Sequence, residues 1–165
     1  MVSVLDEVFE RAVSHASIFR DRNVLRHDYI PERLPHREEQ IRYFGEIVAP
    51  VLKQDRCSNV FIYGKTGTGK TAVIKHVLSK LSDKAQSLSI PFKICYVNCR
   101  LAGTEYRVFA SLCSALSVKV PFTGLAVGEV FDRFKAALDS NNSLLVVVLD
   151  EIDELVKTKG DMLLY

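Results

Sequence analysis

Hydrophobic residues recur at three- and four-residue spacings near the start of the chain, within residues 4–19. The residues of this stripe are Leu5, Val8, Phe9, Ala12 and Ala16. The spacing predicts one face of an amphipathic helix, which either packs on the rest of the domain or serves as an arm that binds a partner. A charge-rich loop follows. There Pro31 and Pro35 exclude helix across residues 28–34, because proline lacks a backbone donor and has a fixed backbone angle.

Helical spacing resumes at Ile41, Phe44, Val48 and Leu52, with a kink predicted at Pro50. From residue 59 onwards, short apolar runs that predict strands alternate with longer helical patterns. The predicted strands are 59–63, 92–99 and 144–149, and the predicted helices are 70–83, 104–117 and 127–139, with a turn at 121–124. This alternation predicts an α/β fold, in which helices cover both faces of a parallel sheet.

A glycine-rich segment lies between the first of these strands and the helix after it. Residues 64–71 read Gly-Lys-Thr-Gly-Thr-Gly-Lys-Thr and match the pattern G-x-x-x-x-G-K-[ST] of phosphate-binding loops. Glycine admits backbone angles that turn successive N–H groups toward phosphate oxygens, and the start of the helix adds a favourable dipole. The residues expected to contact the nucleotide here are Gly64, Thr66, Gly67, Thr68, Gly69, Lys70 and Thr71.

Two side chains of this loop have predicted roles beyond binding. Lys70 is expected to reach the β- and γ-phosphates as a catalytic cation, and the Thr71 hydroxyl is expected to ligate Mg²⁺. The segment therefore predicts binding of ATP or ADP with Mg²⁺. The competing interpretation is a glycine turn that joins a strand to a helix and binds no ligand.

The last predicted strand, 144–149, is aliphatic throughout and is followed by Asp150 and Glu151. Parallel α/β sheets bind their ligands at the carboxyl ends of the strands. Asp150 is therefore predicted to hold Mg²⁺, directly or through water, and Glu151 to orient and polarise an attacking water as a catalytic residue. The simpler alternative is a buried strand that ends in two solvated acids.

The same region separates classes of nucleotide-binding protein. A GTPase typically carries D-x-x-G after this strand and an N-K-x-D motif, whereas Asp153 occupies the glycine position and no N-K-x-D occurs. The adjacent acids favour ATP hydrolysis. A small-molecule kinase is an alternative that shares the loop, although such enzymes seldom place a catalytic glutamate beside the magnesium aspartate.

Composition and charge narrow the class further. The chain has 165 residues, 48% of them hydrophobic and 25% charged, which is enough for one domain with a core. A formal net charge of +2 excludes bulk charge as the basis of nucleic-acid binding, so any DNA contact has to come from a local patch. The aliphatic run at 144–149 is too short to span a membrane, and no apolar signal segment begins the chain, so a soluble, intracellular protein is expected.

The four cysteines are Cys57, Cys95, Cys99 and Cys113. They form no CxxC pair and have no histidine at a zinc-like spacing, and three of them lie in apolar segments. We therefore predict reduced, buried thiols in a cytosolic protein, with a metal or redox role as the alternative.

Five stretches of the sequence carry a family resemblance. They are Tyr-Ile-Pro-Glu-Arg-Leu-Pro-His-Arg-Glu at 29–38, the loop at 64–71, Tyr-Val-Asn at 96–98, Val-Pro-Phe-Thr-Gly-Leu at 120–125 and Leu-Asp-Glu-Ile-Asp at 149–153. Together they resemble the archaeal origin-recognition initiators, which are AAA+ ATPases related to the eukaryotic origin recognition complex and its cell-division-control partner. The loop and the acidic pair are common to AAA+ ATPases, whereas the stretches at 29–38 and 120–125 are the discriminating ones. The resemblance covers residues 19–165.

The resemblance implies that Tyr29, Ile30, Pro31 and Arg37 line the adenine and ribose side of the nucleotide site. A proline-stiffened apolar segment can lie over a flat base, and an arginine can stack on it or bind phosphate. The alternative is a packed linker whose arginine is solvated.

The resemblance also implies that the turn at 121–124 is the initiator-specific insertion, a helical excursion that touches the DNA backbone. The residues that it assigns to DNA are Lys119, Pro121, Phe122, Thr123 and Gly124. Contacts of this kind position a protein on a duplex without reading its sequence. Ala126 departs from the family pattern, which has a small hydroxyl residue there. From the residues alone, a helix-turn-helix hairpin at the edge of the domain is equally well supported.

Against the family, the chain divides into an N-terminal helix and linker, residues 1–27, and a partial AAA+ domain, residues 28–165. The sheet would end after its third core strand, and the sensor strand, lid and winged-helix domain would fall outside the sequence. We therefore expect a fragment or a naturally truncated copy that hydrolyses ATP slowly, because positioning and charge stabilisation supply most of phosphoryl-transfer catalysis. The strand at 59–63 would then either pair directly with 144–149 or leave its edge donors exposed.

The function implied by the resemblance is an ATP-binding and ATP-hydrolysing initiator of DNA replication, cytoplasmic and associated with the nucleoid. Its implied partners are double-stranded origin DNA, other initiator subunits and a replicative helicase of the minichromosome maintenance type, which the initiator helps to load. Two alternatives stay open: another P-loop ATPase, such as a clamp-loader-like or signalling ATPase, and a module that binds nucleotide or partners without turnover.

Overall fold

A computed structural model of the chain describes residues 4–14, 21–26, 29–141 and 143–157. The chain divides into two compact units, Met1–Arg33 and Leu34–Tyr165.

The first unit contains helix α1 (Val4–Ser14), which confirms the predicted amphipathic helix over the described part of residues 4–19. Ala16 lies outside the described residues. Acidic residues in the first turn and Arg11 in the last turn complement the helix dipole. The stripe residues Val8 and Phe9 are exposed. A 3-10 helix covers Arg22–Leu25, and residues 29–33 carry no helix, as the prolines predict.

The second unit contains the remaining elements. Its helices cover Glu38–Val48 (α2), Lys70–Ser87 (α3), Cys99–Ala102 (α4), Glu105–Ala115 (α5), Val127–Ser140 (α6) and Asp153–Lys157 (α7), and its strands cover Phe92–Asn98 (β1) and Leu144–Asp150 (β2). After α2 the backbone tightens into a 3-10 helix over Ala49–Lys53, so the kink predicted at Pro50 is confirmed as a change of helix type. All the predicted helices of this unit are present, with ends shifted by a few residues.

Strands β1 and β2 run parallel, with Phe92 opposite Leu144 and Asn98 opposite Asp150. Because side chains alternate along a strand, the even-numbered residues of both strands face one side of the sheet and the odd-numbered residues face the other. The even side packs with α2 and α3 in one apolar cluster, and the odd side packs with α5 and α6 in another. Helices therefore cover both faces, as predicted for the α/β fold.

The prediction of a strand at residues 59–63 is wrong, because this segment pairs with no strand among the described residues. Phe61 and Tyr63 are 77% and 83% exposed, and their rings stack with centroids 6.0 Å apart. The apolar run has the pattern of a buried strand, but a strand also needs a neighbour that supplies hydrogen bonds, and no described residue supplies one. Of the two outcomes expected for this segment, exposed edge groups are found instead of direct pairing with 144–149.

Helices α5 and α6 pack against each other on either side of the segment 116–126. Phe109 of α5 meets Phe131 of α6 edge to face, with ring centroids 5.4 Å apart, and lies 6.5 Å from Phe134. Val108 and Val130 are fully buried beside these rings. The contacts confirm the helical hairpin predicted around the turn at 121–124.

The cysteines fit the prediction of reduced, buried thiols. Cys95, Cys99 and Cys113 are buried, Cys57 is half-buried, and all four thiols are free. Burial raises the pKa of the Cys95 thiol, which keeps it protonated. Within the described part of the chain, no helix has the length and apolarity needed to cross a bilayer.

Candidate nucleotide-binding site

The glycine-rich loop at 64–71 leads into α3, whose N-cap residue is Gly69. Gly67 and Gly69 have φ angles of 78° and 83°, a left-handed conformation that side chains disfavour. The Lys70 ammonium folds back over the loop and donates to the carbonyl oxygens of Gly64 at 2.8 Å and Lys65 at 2.9 Å. A cation therefore lies beside the N-terminus of an 18-residue helix, a combination that favours phosphate.

Arg37 adds a second cation to this loop. It is the N-cap residue of α2, and its Nη2 atom donates to the carbonyl oxygen of Thr68 at 2.8 Å. Thr66 lies exposed in the same loop. Arg37, which the resemblance assigns to the adenine and ribose side, thus contacts the phosphate loop. Residues 29–31 belong to the other unit, and their contact with a base stays a prediction.

Thr71 and Asp150 meet at the carboxyl end of β2, although 79 residues separate them in the sequence. The Thr71 hydroxyl donates to Oδ2 of Asp150 at 2.8 Å. Hydroxyl and carboxylate oxygens are the hard ligands that Mg²⁺ prefers, usually with water and substrate phosphate completing its shell. No group of three or more His, Cys, Asp or Glu residues is clustered for metal binding in the described ranges.

Tyr96 is a site residue that the sequence did not lead us to predict. Its hydroxyl donates to the same Oδ2 atom of Asp150 that accepts from Thr71. The Lys75 ammonium lies 4.5 Å from the centroid of the Tyr96 ring. Burial and, after it, the hydrogen bond to Asp150 raise the pKa of Tyr96, so the hydroxyl remains a donor. The alternation of side chains along a strand could have indicated this residue. Tyr96 lies two residues before Asn98, which is opposite Asp150, so Tyr96 and Asp150 face the same side of the sheet.

Glu151 follows β2 with φ of 53°, a left-handed angle that residues other than glycine seldom adopt. Its backbone N–H donates to Oδ1 of Asp150 at 3.1 Å, and its side chain is exposed. The charges of Asp150 and Glu151 also affect the pKa of a neighbouring thiol. Burial first, and then the charges of Asp150 and Glu151, raise the pKa of the Cys99 thiol to about 11.

The turn assigned to DNA projects from the hairpin of α5 and α6. Its residues Pro121, Phe122, Thr123 and Gly124 are all exposed, as is Lys119 before them. The Tyr106 hydroxyl donates to the Pro121 carbonyl at 2.5 Å, and the Arg107 guanidinium lies 5.2 Å from the centroid of the Phe122 ring. With the junction of α4 and α5, the turn lines an open cleft of about 720 Å³. Two side chains of α5 thus hold the turn, and one of them adds a cation.

Comparison with known families identifies the class. Residues 53–165 match the family described as AAA domain. The match covers more than half of the chain and includes the phosphate loop and the acidic pair. The chain therefore belongs to the AAA domain family.

Relatives within this class narrow the assignment. The chain is 48% identical to the ORC1-type DNA replication protein of Desulfurococcus amylolyticus, over 100% of this chain and 42% of the relative. It is 44% identical to the ORC1-type DNA replication protein of Thermococcus onnurineus, over 98% of this chain and 40% of the relative. The predicted relation to the archaeal origin-recognition initiators is confirmed. The chain spans about two fifths of the length of the curated relatives it matches.

Solved structures agree with the sequence comparison. The structure of the Aeropyrum pernix ORC1 protein in complex with DNA matches with a TM-score of 0.82 and 48% identity, over 86% of this chain and 37% of that chain. The ADP form of the Aeropyrum pernix ORC2 protein matches with a TM-score of 0.70 and 24% identity, over 87% of this chain and 38% of that one. The second likeness shows the fold alone. The α/β P-loop fold is confirmed.

Proposed function

We propose that the chain binds ATP and ADP with Mg²⁺ at the loop 64–71. The observation that carries this proposal is the 2.8 Å hydrogen bond between the Thr71 hydroxyl and the Asp150 carboxylate. Thr71 directly follows Lys70, whose ammonium lies on the carbonyl oxygens of the same loop. The hydrogen bond joins a hydroxyl at the start of a helix to a carboxylate at the end of a strand, where phosphate and metal are both favoured. In this proposal Lys70 and the loop N–H groups hold the phosphates, and Thr71 and Asp150 hold the ion, which neutralises phosphate charge when bound.

The nucleoside side of the proposed site consists of Tyr29, Ile30, Pro31 and Arg37. The hydrogen bond from Arg37 to the Thr68 carbonyl supports the role of Arg37. It fixes a guanidinium, which stacks on bases and binds phosphate, at the border of the loop.

For the whole protein we propose hydrolysis of ATP to ADP and phosphate, with Lys70 and Glu151 as the catalytic residues. Glu151 is exposed next to the proposed metal carboxylate, where an acid can orient and polarise a water. ATP turnover by Glu151→Gln is expected to fall about a hundredfold, the size of effect typical of a lost general base. Glu154→Gln is the control, since Glu154 pairs with Lys157 and should leave turnover unchanged. Equal turnover with and without Glu151 would mean that this residue does not catalyse.

The proposed role of the whole protein is initiation of DNA replication, by binding double-stranded origin DNA and helping to load a replicative helicase. The relatives are named ORC1-type DNA replication proteins, and the Aeropyrum pernix ORC1 structure is a complex with DNA. A net charge of only +2 means that DNA binding needs a local cationic patch. In this proposal the exposed turn, with Lys119 and Arg107, supplies that patch. Other initiator subunits and a minichromosome-maintenance helicase are the proposed partners, in the cytoplasm at the nucleoid.

The DNA proposal is tested by the affinity of the whole protein for origin duplex and for random duplex at matched salt, and a preference for origin duplex is expected. Lys119→Ala is expected to weaken both affinities about equally. The slope of log affinity against log salt concentration is expected to fall by about 1, which corresponds to the loss of one phosphate contact. Lys80→Ala, at an exposed position of α3, is the control. Identical DNA affinities of the two variants would contradict the contact at Lys119.

A further inference from the structure

Three hydrogen bonds converge on the carboxylate of Asp150. Oδ2 accepts from the hydroxyls of Thr71 and Tyr96, and Oδ1 accepts from the backbone N–H of Glu151. A carboxylate offers about two lone-pair sites on each oxygen. Both sites of Oδ2 are therefore used, and Oδ1 keeps one.

Tyr96 itself contacts helix α3 through Lys75. It lies on the even-numbered side of β1, which packs against α3. Lys75 follows Thr71 by one turn of α3, so both side chains face the same part of the sheet. The Lys75 ammonium lies 4.5 Å from the ring centroid, within the range of a cation–π contact, and both side chains are half-buried. This contact and the partial burial restrict the ring and favour the position in which its hydroxyl reaches Asp150.

We propose that Tyr96 is a positioning residue for the metal-binding carboxylate. Its hydroxyl occupies the second acceptor site of Oδ2, so the carboxylate keeps a single free lone pair, on Oδ1. That lone pair would bind the ion or accept from a water of the ion. Without Tyr96, both oxygens of Asp150 would offer a free lone pair, and the ion would meet no single defined acceptor. The inference rests on the binding of nucleotide and Mg²⁺ proposed above and deepens it.

Tyr96→Phe tests this role in the full chain. The affinity for ADP is measured by calorimetry over a series of Mg²⁺ concentrations and again in EDTA. The Mg²⁺ concentration that gives half of the gain in affinity is expected to rise about tenfold, the lower end of the effect of losing an outer partner of a metal ligand. The affinity for ADP in EDTA is expected to stay the same. A role in packing alone would lower the thermal midpoint without moving the Mg²⁺ dependence.

Tyr106→Phe is the matched control, because it also removes one tyrosine hydroxyl, which donates to the Pro121 carbonyl away from the loop. It is expected to leave the Mg²⁺ dependence of ADP binding unchanged. An equal shift in both variants would overturn the specific role of Tyr96.

Lys75→Met is a second, independent variant that keeps the aliphatic stem and removes the cation over the ring. It is expected to raise the Mg²⁺ midpoint about threefold, in line with the modest strength of a cation–π contact, and it decides the question if Tyr96→Phe does not fold. Unchanged Mg²⁺ midpoints in the folded variants would overturn the positioning role alone. A lack of Mg²⁺-dependent ADP binding by the unaltered chain would instead overturn the proposed function.

Discussion

Glu151 has a left-handed backbone, with φ of 53°, at the point where β2 ends. Such an angle costs a residue other than glycine about 1–2 kcal/mol. The residue lies between the Asp150 carboxylate, to which its N–H donates, and helix α7, which begins two residues later. These neighbours impose the angle, and backbone strain of this kind is concentrated at functional sites.

Glycine at this position should relieve the strain, because it adopts positive φ freely, whereas alanine should retain it. We expect Glu151→Gly to be more stable than Glu151→Ala by about 1 kcal/mol. Urea unfolding of the two variants measures the difference, and since both lack the carboxylate, any effect of its charge cancels. An alanine variant as stable as the glycine variant would show that the backbone is unstrained there.

Helix α6 begins without a side-chain cap. Its N-cap residue is Ala126, whose carbonyl accepts from the N–H groups of Glu129 and Val130 but whose side chain has no acceptor. This is the position at which the family resemblance led us to expect a hydroxyl. A serine here, with Glu129 three residues later, would complete a capping box.

Ala126→Ser is therefore expected to raise the free energy of unfolding by about 1 kcal/mol, because its hydroxyl can accept a backbone N–H of the first turn while the Glu129 carboxylate accepts the N–H of residue 126. Chemical denaturation measures the change. Ala126→Val is the matched control, since it adds a side chain of similar size that offers no acceptor. A gain as large for valine, or none for serine, would argue against capping.

The elements with local signals were the ones that the sequence predicted well. Helix α3 shows both its helical spacing and its phosphate-loop start, and β2 is an unbroken aliphatic run. Helices α4 and α7 were not predicted, because four or five residues are too few to show a helical period.

Features that depend on partners distant in the sequence were harder to predict. Thr71 and Asp150 were assigned to one metal because each carries its own motif. Tyr96 carries no such motif, and only the pairing of β1 with β2 shows that its hydroxyl reaches Asp150 across 54 residues. The prediction of a strand at 59–63 was wrong for the same reason, since hydrogen-bonding neighbours decide whether an apolar run becomes a strand.

On the scale of the whole molecule, residues 59–63 form an exposed apolar segment whose backbone groups pair with none of the residues that the structure describes. Phe61 and Tyr63 are its most exposed apolar side chains. Unpaired strand-forming segments act as templates for association between chains. The prediction is that the chain self-associates through this segment as its concentration is raised.

The double variant Phe61→Lys, Tyr63→Lys is expected to reduce this self-association, because charged side chains oppose strand pairing between chains. Light scattering coupled to size exclusion measures the molar mass as a function of concentration. Leu101→Lys, at another highly exposed apolar position, is the control and should leave self-association unchanged. A constant mass of 18.6 kDa for the unaltered chain at every concentration would contradict the prediction.

Binding of a nucleotide with Mg²⁺ by the loop at 64–71 is tested most directly by calorimetry of Lys70→Ala with Mg-ATP, beside the unaltered chain and Lys65→Ala. Lys65 contributes its carbonyl to the loop, so loss of its side chain should have little effect. Lys70→Ala should bind roughly 10- to 100-fold more weakly, as expected for the loss of one charged hydrogen bond. Absence of heat with the folded, unaltered chain, or equal affinity after Lys70→Ala, would contradict nucleotide binding at this loop.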